Sequence, residues 1–253
     1  MATIISISNH KGGVGKTTSS LNIGAGLQQL GKKVLLVDLD PQANLTTSVG
    51  IQQGDRTIYD YLVKKEHPVS PVQVIPNLDI IPSTLDLSAA EIELSAETGR
   101  EYILGELVLD PMRENYDYII IDCPPALGLL TINALTTSDK VLIPLQAHYL
   151  AMQGITKLVD VVKKIQTRLN KKLVIGGVFV TQYDKRKTLN RDVVASLQSY
   201  FKDLIFATFI RDNITLAEAP TQGLDIFRYN NSSYGAEDYL ALSKEILERE
   251  INY

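Results

Sequence analysis

A chain of 253 residues with 45% hydrophobic and 21% charged residues and a mean hydropathy of +0.02 is ordinary globular material, which excludes disordered, collagen-like and low-complexity classes. The formal net charge of −4 excludes a protein coated in basic residues, and a single cysteine, Cys123, excludes an internal disulfide framework or a cysteine-only metal site within one chain. No apolar run approaches the ~18 residues of a membrane span, and no basic n-region leads to a cleavage site, so the sequence predicts a cytoplasmic protein without a membrane partner.

In chain order, strand-like runs are expected at 3–8 (TIISIS), 33–38 (KVLLVD), 78–83 (LDIIPS), 117–122 (DYIIID), 140–145 (KVLIPL), 173–181 (LVIGGVFVT) and 204–210 (LIFATFI). Several are continuous apolar runs, the pattern of parallel strands covered on both faces. Between most of them lie stretches with apolar residues at three- and four-residue spacing, predicting helices over 17–30, 101–115, 151–169, 188–201 and 235–250. This alternation predicts an α/β protein built on a doubly wound, mostly parallel sheet flanked by helices. No Gly/Ser/Pro-rich linker divides it, so one domain over 1–253 is expected. Cys123, embedded in apolar sequence, reads as a buried and inert thiol.

In such a sheet the ligand site lies beyond the carboxyl ends of the strands. Three polar clusters fall there: SISNHKGGVGKT after the first strand, DLDPQ after the second and DCPP after the fourth. Within the first, Gly12, Gly13 and Gly15, with Val14 among them, allow the backbone N–H groups of a tight loop to surround phosphate oxygens. The helix beginning near Lys16 adds its N-terminal dipole. Lys16 would neutralise the β- and γ-phosphates, the Thr17 hydroxyl would ligate Mg²⁺, and Thr18 would reach the α-phosphate. The usual loop, G-x-x-x-x-G-K-[ST], would carry glycine where this chain has His10, and it requires no second lysine at position 11. Asp122, ending an apolar strand, has the position of an aspartate that holds Mg²⁺ through water. Asp38 and Asp40 straddle Leu39 at another strand end, beside the same site. Asp40, just before Pro41, is the better placed to orient an attacking water.

Charge is also uneven along the chain. Lys163, Lys164, Arg168, Lys171, Lys172, Lys185, Arg186, Lys187 and Arg191 fall in one segment whose only acidic residue is Asp184, a pattern pointing to a polyanionic partner.

Four segments, KGGVGKTT (11–18), LLVDLDPQAN (35–44), YDYIIIDCPPALGLLTINAL (116–135) and LAEAPTQG (216–223), resemble the deviant Walker A ATPases of the ParA/Soj group, the P-loop proteins that partition chromosomes and plasmids. The resemblance runs nearly end to end. It implies a homodimer that sandwiches two ATP molecules with Mg²⁺, in which Lys11 reaches the phosphates held by the other subunit. It also implies hydrolysis in which Asp40 orients water while Lys16 and Mg²⁺ hold the phosphates, and a switch region after Asp122. By the same resemblance VTQYD (180–184) and IRDN (210–213) flank the adenine, with Asn213 hydrogen-bonding it, although Arg211 stands where the family often has proline. The ATP dimer of such proteins binds DNA without sequence preference, here through Lys185, Arg186 and Lys187. The resemblance further implies a ParB-like DNA-binding partner that stimulates hydrolysis and release, and an ATP form associated with the nucleoid. Asp212 and Thr215 occupy positions that are basic in many relatives. Alternatives within the same P-loop branch are a MinD-like or cargo-positioning ATPase and a metabolic ligase.

Overall fold

The computed structural model describes residues 1–51, 56–147 and 151–251. In its first half lie β1 (Thr3–Ile7), α1 (Lys16–Gln29), β2 (Val34–Asp38), α2 (Asn44–Ser48), α3 (Ile58–Leu62), β3 (Val72–Ile75), β4 (Leu78–Ile81), α4 (Leu87–Glu93) and β5 (Tyr118–Asp122). The second half adds α5 (Leu129–Thr137), β6 (Lys140–Gln146), α6 (Ala151–Arg168), β7 (Val174–Tyr183), α7 (Thr188–Phe201), β8 (Ile205–Arg211), α8 (Thr215–Glu218), α9 (Ile226–Asn230) and α10 (Tyr234–Ile251). The strands form one sheet in the order β3-β4-β2-β5-β1-β6-β7-β8. Neighbours run parallel except for β3 and β4, which are antiparallel.

Alternation along each strand explains the apolar runs, because both faces of the sheet are covered. Ile5, Ile7, Val34, Leu36, Leu78, Ile80 and Ile120 pack on one face against Leu21 and Leu27 of α1 and Tyr239, Leu242 and Ile246 of α10. Their sequence neighbours Ile4, Leu35, Val37, Ile119 and Ile121 face the other side, against Ile58 and Tyr61 of α3, Leu87 of α4 and Leu130 and Ala134 of α5. A third cluster seats α6 and α7 on β6 and β7 through Ile155, Leu158, Val162, Val193 and Leu197. Where α1 crosses α10, a Cβ on Gly26 would lie 2.3 Å from Ser243 Oγ, so the two backbones approach as closely as glycine permits. The Glu250 carboxylate near the end of α10 accepts from Tyr118 Oη and, at 3.1 Å, from Lys140 Nζ.

Two departures from the sequence expectation have physical causes. Residues 72–75 form an antiparallel edge strand, closed onto β4 by a turn in which Asn77 takes φ of 66°; four residues between two prolines, three of them half-buried and Gln73 exposed, carry little strand signal. The helix expected over 101–115 is instead a π-helical turn at Gly105–Leu109 followed by a 3-10 turn at Asp110–Met112. Pro111 cannot donate to the ladder and its ring crowds the preceding turn. Asn133 compensates in part, since its Oδ1 accepts from Leu104 N at 3.0 Å and its Nδ2 donates to Arg100 O at 2.7 Å.

Candidate nucleotide-binding site

The loop that leaves β1 lies at the point where the winding of the sheet reverses, with β5 on one side and β6 on the other, the crevice where open α/β sheets hold ligands. Gly13 and Gly15 adopt φ of 75° and 84°, a conformation that a side chain would strain. A Cβ on Gly12 or Gly13 would meet nothing within 4 Å, so the loop borders open space. Its shape is fixed from outside. Asn9, buried, donates from Nδ2 to Pro144 O at 2.8 Å and accepts at Oδ1 from Lys11 N at 3.0 Å. Thr181 Oγ1 donates to Val14 O at 2.9 Å and Gln182 Nε2 to Gly13 O at 3.1 Å. With these carbonyls satisfied by β7, the loop can turn N–H groups toward an anion, in continuity with the N-terminus of α1. His10 is absent from the positive-φ residues, so the position usually held by glycine needs none of its freedom here. Its Nδ1 is buried without a hydrogen-bond partner.

Below the loop lies a buried charged cluster. Lys16 is 7% exposed, and its Nζ reaches Lys11 O at 3.4 Å. Burial lowers its pKa, opposed chiefly by the charge of Asp122 and more weakly by that of Asp40. Asp122 is fully buried and stands beside Asp38 in register on the adjacent strand. Burial and then the Asp38 charge push its pKa up, while the Thr17 and Ser20 hydroxyls and Lys16 pull it back. Ser20 Oγ lies 3.0 Å from Asp122 Oδ1, whereas Oδ2 is buried with no hydrogen-bond partner. An orphaned carboxylate oxygen beside the Thr17 hydroxyl fits Mg²⁺ or a water it binds, because this ion takes few protein ligands and leaves the rest of its octahedron to water and phosphate. Among the described residues no group of three acidic, His or Cys side chains could hold a metal by itself.

Of the two aspartates after β2, Asp38 faces inward: its Oδ2 accepts from Thr46 N and Oγ1 at 2.8 and 2.7 Å. Asp40 lines a cavity of about 320 Å³ with Pro41, Leu87, Glu91, Pro125 and Leu130. Its Oδ1 accepts from Gln42 N at 3.0 Å, leaving Oδ2 for a water. The two side chains, one residue apart from a shared neighbour, thus point to different tasks. Beside the loop, Gly15, Thr18, Thr181, Asn213, Leu216 and Tyr239 contribute to a second cavity of about 170 Å³, suited to a flat ring. Asn213 Oδ1 accepts from Thr215 N and Oγ1 at 3.0 and 2.7 Å, so its amide NH₂ is what remains to offer a base. Arg211 is turned to another task. Its guanidinium grips Asp238 and Glu237 and stacks over Tyr234 with 4.1 Å to the ring centroid, fastening β8 to α10.

The basic segment is not one patch. Lys171 and Lys172 precede β7 and Lys185, Arg186 and Lys187 follow it, so the ten-residue strand separates the two groups by about 30 Å. The second group is exposed on the same sheet edge as the phosphate loop. Within it Arg186 Nε and Nη2 hold the Asp184 carboxylate, each at 2.9 Å, which leaves Lys185 and Lys187 as the freer cations.

Sequence reasoning missed Asn9, Thr46 and Ser83, and it assigned Thr181 and Gln182 only to the adenine side. Asn9 carried one signal, a polar residue buried in the approach to a glycine loop; the others act through contacts distant in sequence.

A family model described as an AAA domain matches residues 2–175. The chain is 48% identical to the sporulation initiation inhibitor protein Soj of Bacillus subtilis strain 168, over 97% of this chain and 98% of that one. It is 46% identical to the chromosome-partitioning ATPase Soj of Treponema pallidum strain Nichols, over 96% of each. Among solved structures, cobyrinic acid a,c-diamide synthase from Mycobacterium smegmatis with bound ADP and magnesium superposes with a TM-score of 0.87 at 32% identity, covering 99% of this chain and 96% of that one. With a phosphate loop, a buried lysine and an aspartate pair arranged on such a sheet, and with full-length relatives of this kind, the chain belongs to the ParA/Soj family of P-loop ATPases.

Proposed function

We propose that this chain is a DNA-partitioning ATPase in which Mg-ATP drives formation of a nucleotide-sandwich homodimer. The dimer binds DNA without sequence preference, and hydrolysis, stimulated by a ParB-like partner, releases it. ATP and Mg²⁺ are its cofactors, and the ATP form is nucleoid-associated. The observation that carries this reading is Lys11. It is half-buried at the mouth of the loop and forms no ion pair among the described residues, while its carbonyl accepts from Lys16 Nζ. A flexible cation so placed can serve a phosphate brought by a second chain.

Lys11→Ala is expected to retain ATP binding within about threefold, since Lys16 and the loop N–H groups remain, yet to stay monomeric with Mg-ATP where the parent dimerises. Sedimentation with and without nucleotide reads this directly, and a variant that dimerises normally would remove Lys11 from the interface. The DNA-binding half of the proposal rests on the basic turn after β7. Replacing Lys185, Arg186 and Lys187 by Ala is expected to weaken DNA retention and to flatten the dependence of log K on log salt by ~0.9 for each phosphate no longer neutralised. An unchanged slope would move the DNA surface elsewhere.

The synthase among the structural neighbours supplies the competing reading, ATP used to activate a small acid. Higher identity to the Soj relatives favours partitioning, and the readings part on one measurement. A partitioning ATPase turns over ATP without a small-molecule acceptor and is accelerated by DNA together with the partner; a ligase requires its acid and forms product from it.

A further inference from the structure

The segment that carries Asp40 is pinned at both of its flanking peptide groups. Asp40 N donates to Asp38 Oδ1 at 3.2 Å, and Asp40 O accepts from Ser83 Oγ at 2.9 Å, as well as from Ala43 N at 2.9 Å. The first two pins converge on one hydroxyl. Thr46 Oγ1 donates to Asp38 Oδ2 at 2.7 Å and accepts from Ser83 N at 2.9 Å. Asp38, Thr46 and Ser83 are 0%, 8% and 2% exposed, so water cannot substitute freely for any bond in the set. The network also joins separate parts of the sheet, because Asp38 ends β2, Thr46 belongs to α2 and Ser83 follows β4.

A hydroxyl that donates in one direction and accepts in the other is a single node. Its removal leaves a buried N–H unpaired and deprives a buried carboxylate of a donor. We infer that Thr46 is a positioning residue for hydrolysis: through Asp38 and Ser83 it fixes the backbone of Asp40 at the place from which that carboxylate orients the attacking water. Catalysis by positioning is sensitive to such a device, since displacement of a reacting group by about 1 Å costs on the order of 10²-fold. The inference rests on the assignment of Asp40 as the water-orienting residue.

The test is a double-mutant cycle on the full chain, read as steady-state ATPase kinetics and as ATP-dependent dimerisation. Thr46→Val, which keeps the shape and deletes the hydroxyl, is expected to lower kcat by about tenfold with KM within about twofold and the ATP dimer intact. Thr46→Ser restores the hydroxyl and is expected to return kcat to within about twofold of the parent. In an Asp40→Ala background Thr46→Val is expected to cause no further loss, because the group it positions is gone. An equal loss in both backgrounds, failure of Ser to rescue, or a raised KM with unchanged kcat would overturn the inference. If Thr46→Val fails to fold, Ser83→Ala removes only the hydroxyl on Asp40 O and is expected to lower kcat by about threefold, again only when Asp40 is present; no loss, or the same loss without Asp40, overturns the inference. A parent-like rate for Asp40→Ala alone overturns the assignment of Asp40 itself, whereas a slow Asp40→Ala beside a normal Thr46→Val overturns only the role of Thr46.

Discussion

Lys16→Ala is expected to weaken ATP binding by about 10²-fold, equivalent to ~3 kcal/mol, and with it to abolish the ATP dimer and DNA retention. The size follows from the setting. A hydrogen bond to a charged group contributes about 1.5–3 kcal/mol, and Lys16 is buried among carboxylates where solvent screens little. Among the described residues its ammonium has one long contact, 3.4 Å to Lys11 O, and burial disfavours its charge. Phosphate oxygens would supply the partners it lacks, so a large part of its interaction is reserved for the bound state. Removal should therefore leave the apo fold standing, as thermal melting without nucleotide would show, while isothermal titration with Mg-ATP shows the loss. Lys16→Arg is expected to fail as well, because a planar fork does not fit a site shaped around a compact ammonium. A Lys16→Ala chain that still dimerised with ATP would overturn the assignment of this loop.

Much of this architecture was legible in the sequence because the residues concerned interact nearby or repeat regularly. β1, β2, β5 and β6 announce themselves since a strand covered on both faces must be apolar throughout. The phosphate loop is legible because a left-handed backbone at Gly13 and Gly15 demands glycine within a few positions of Lys16 and Thr17. Asp38 and Asp40 stand two apart, so an unbroken strand would aim both at one face; they are set apart because β2 ends at Asp38. What escaped depends on contacts far apart in the chain. Nothing near Thr181 or Gln182 reveals that they satisfy the carbonyls of Val14 and Gly13, and nothing near Ser83 reveals that it holds Asp40. The run of basic residues is divided by the fold: Lys172 and Lys185 lie at opposite ends of the ten-residue β7, a separation that depends on the strand between them. The 101–115 segment has helical periodicity, but one residue, Pro111, decides how its turns are wound.

On the proposed function, Asp122 and Asp40 have different tasks. Asp122, the last residue of β5, keeps one oxygen unpartnered beside Thr17 and Lys16, where a Mg²⁺-bound water would fit. The segment that follows it runs through Pro124 and Pro125 to Gly128, and a Cβ on Gly128 would lie 2.2 Å from Glu91 Oε1. Glu91 Oε1 in turn accepts from Leu130 N at 3.3 Å, so the start of α5 rests on α4. Glu91 and Leu87 of α4, Pro124 and Pro125 of the segment after Asp122, and Leu130 of α5 also line the cavity that holds Asp40, so these three parts of the chain meet at one wall of it.

Asp40→Ala is expected to lower ATP turnover by about 10²–10³-fold while leaving nucleotide binding and dimerisation in place, so that the ATP dimer accumulates and DNA is held longer. Acid–base and water-orienting carboxylates contribute on the order of 10²–10⁴ in rate, and the lower part of that range applies where the loop, Lys16 and Mg²⁺ still position and neutralise the phosphates. Its location supports the role. Asp40 is 7% exposed, its charge is felt by Lys16, and one of its oxygens is committed to Gln42 N while its backbone is held on both sides. It belongs to none of the three apolar clusters of the core, so stability should change little. Asp40→Asn tests the charge separately: an amide can hold a water without drawing its proton, and it is expected to fall close to Ala in rate. Single-turnover hydrolysis beside equilibrium sedimentation separates the two effects, and an Asp40→Ala chain with ordinary turnover would assign the attacking water to another residue.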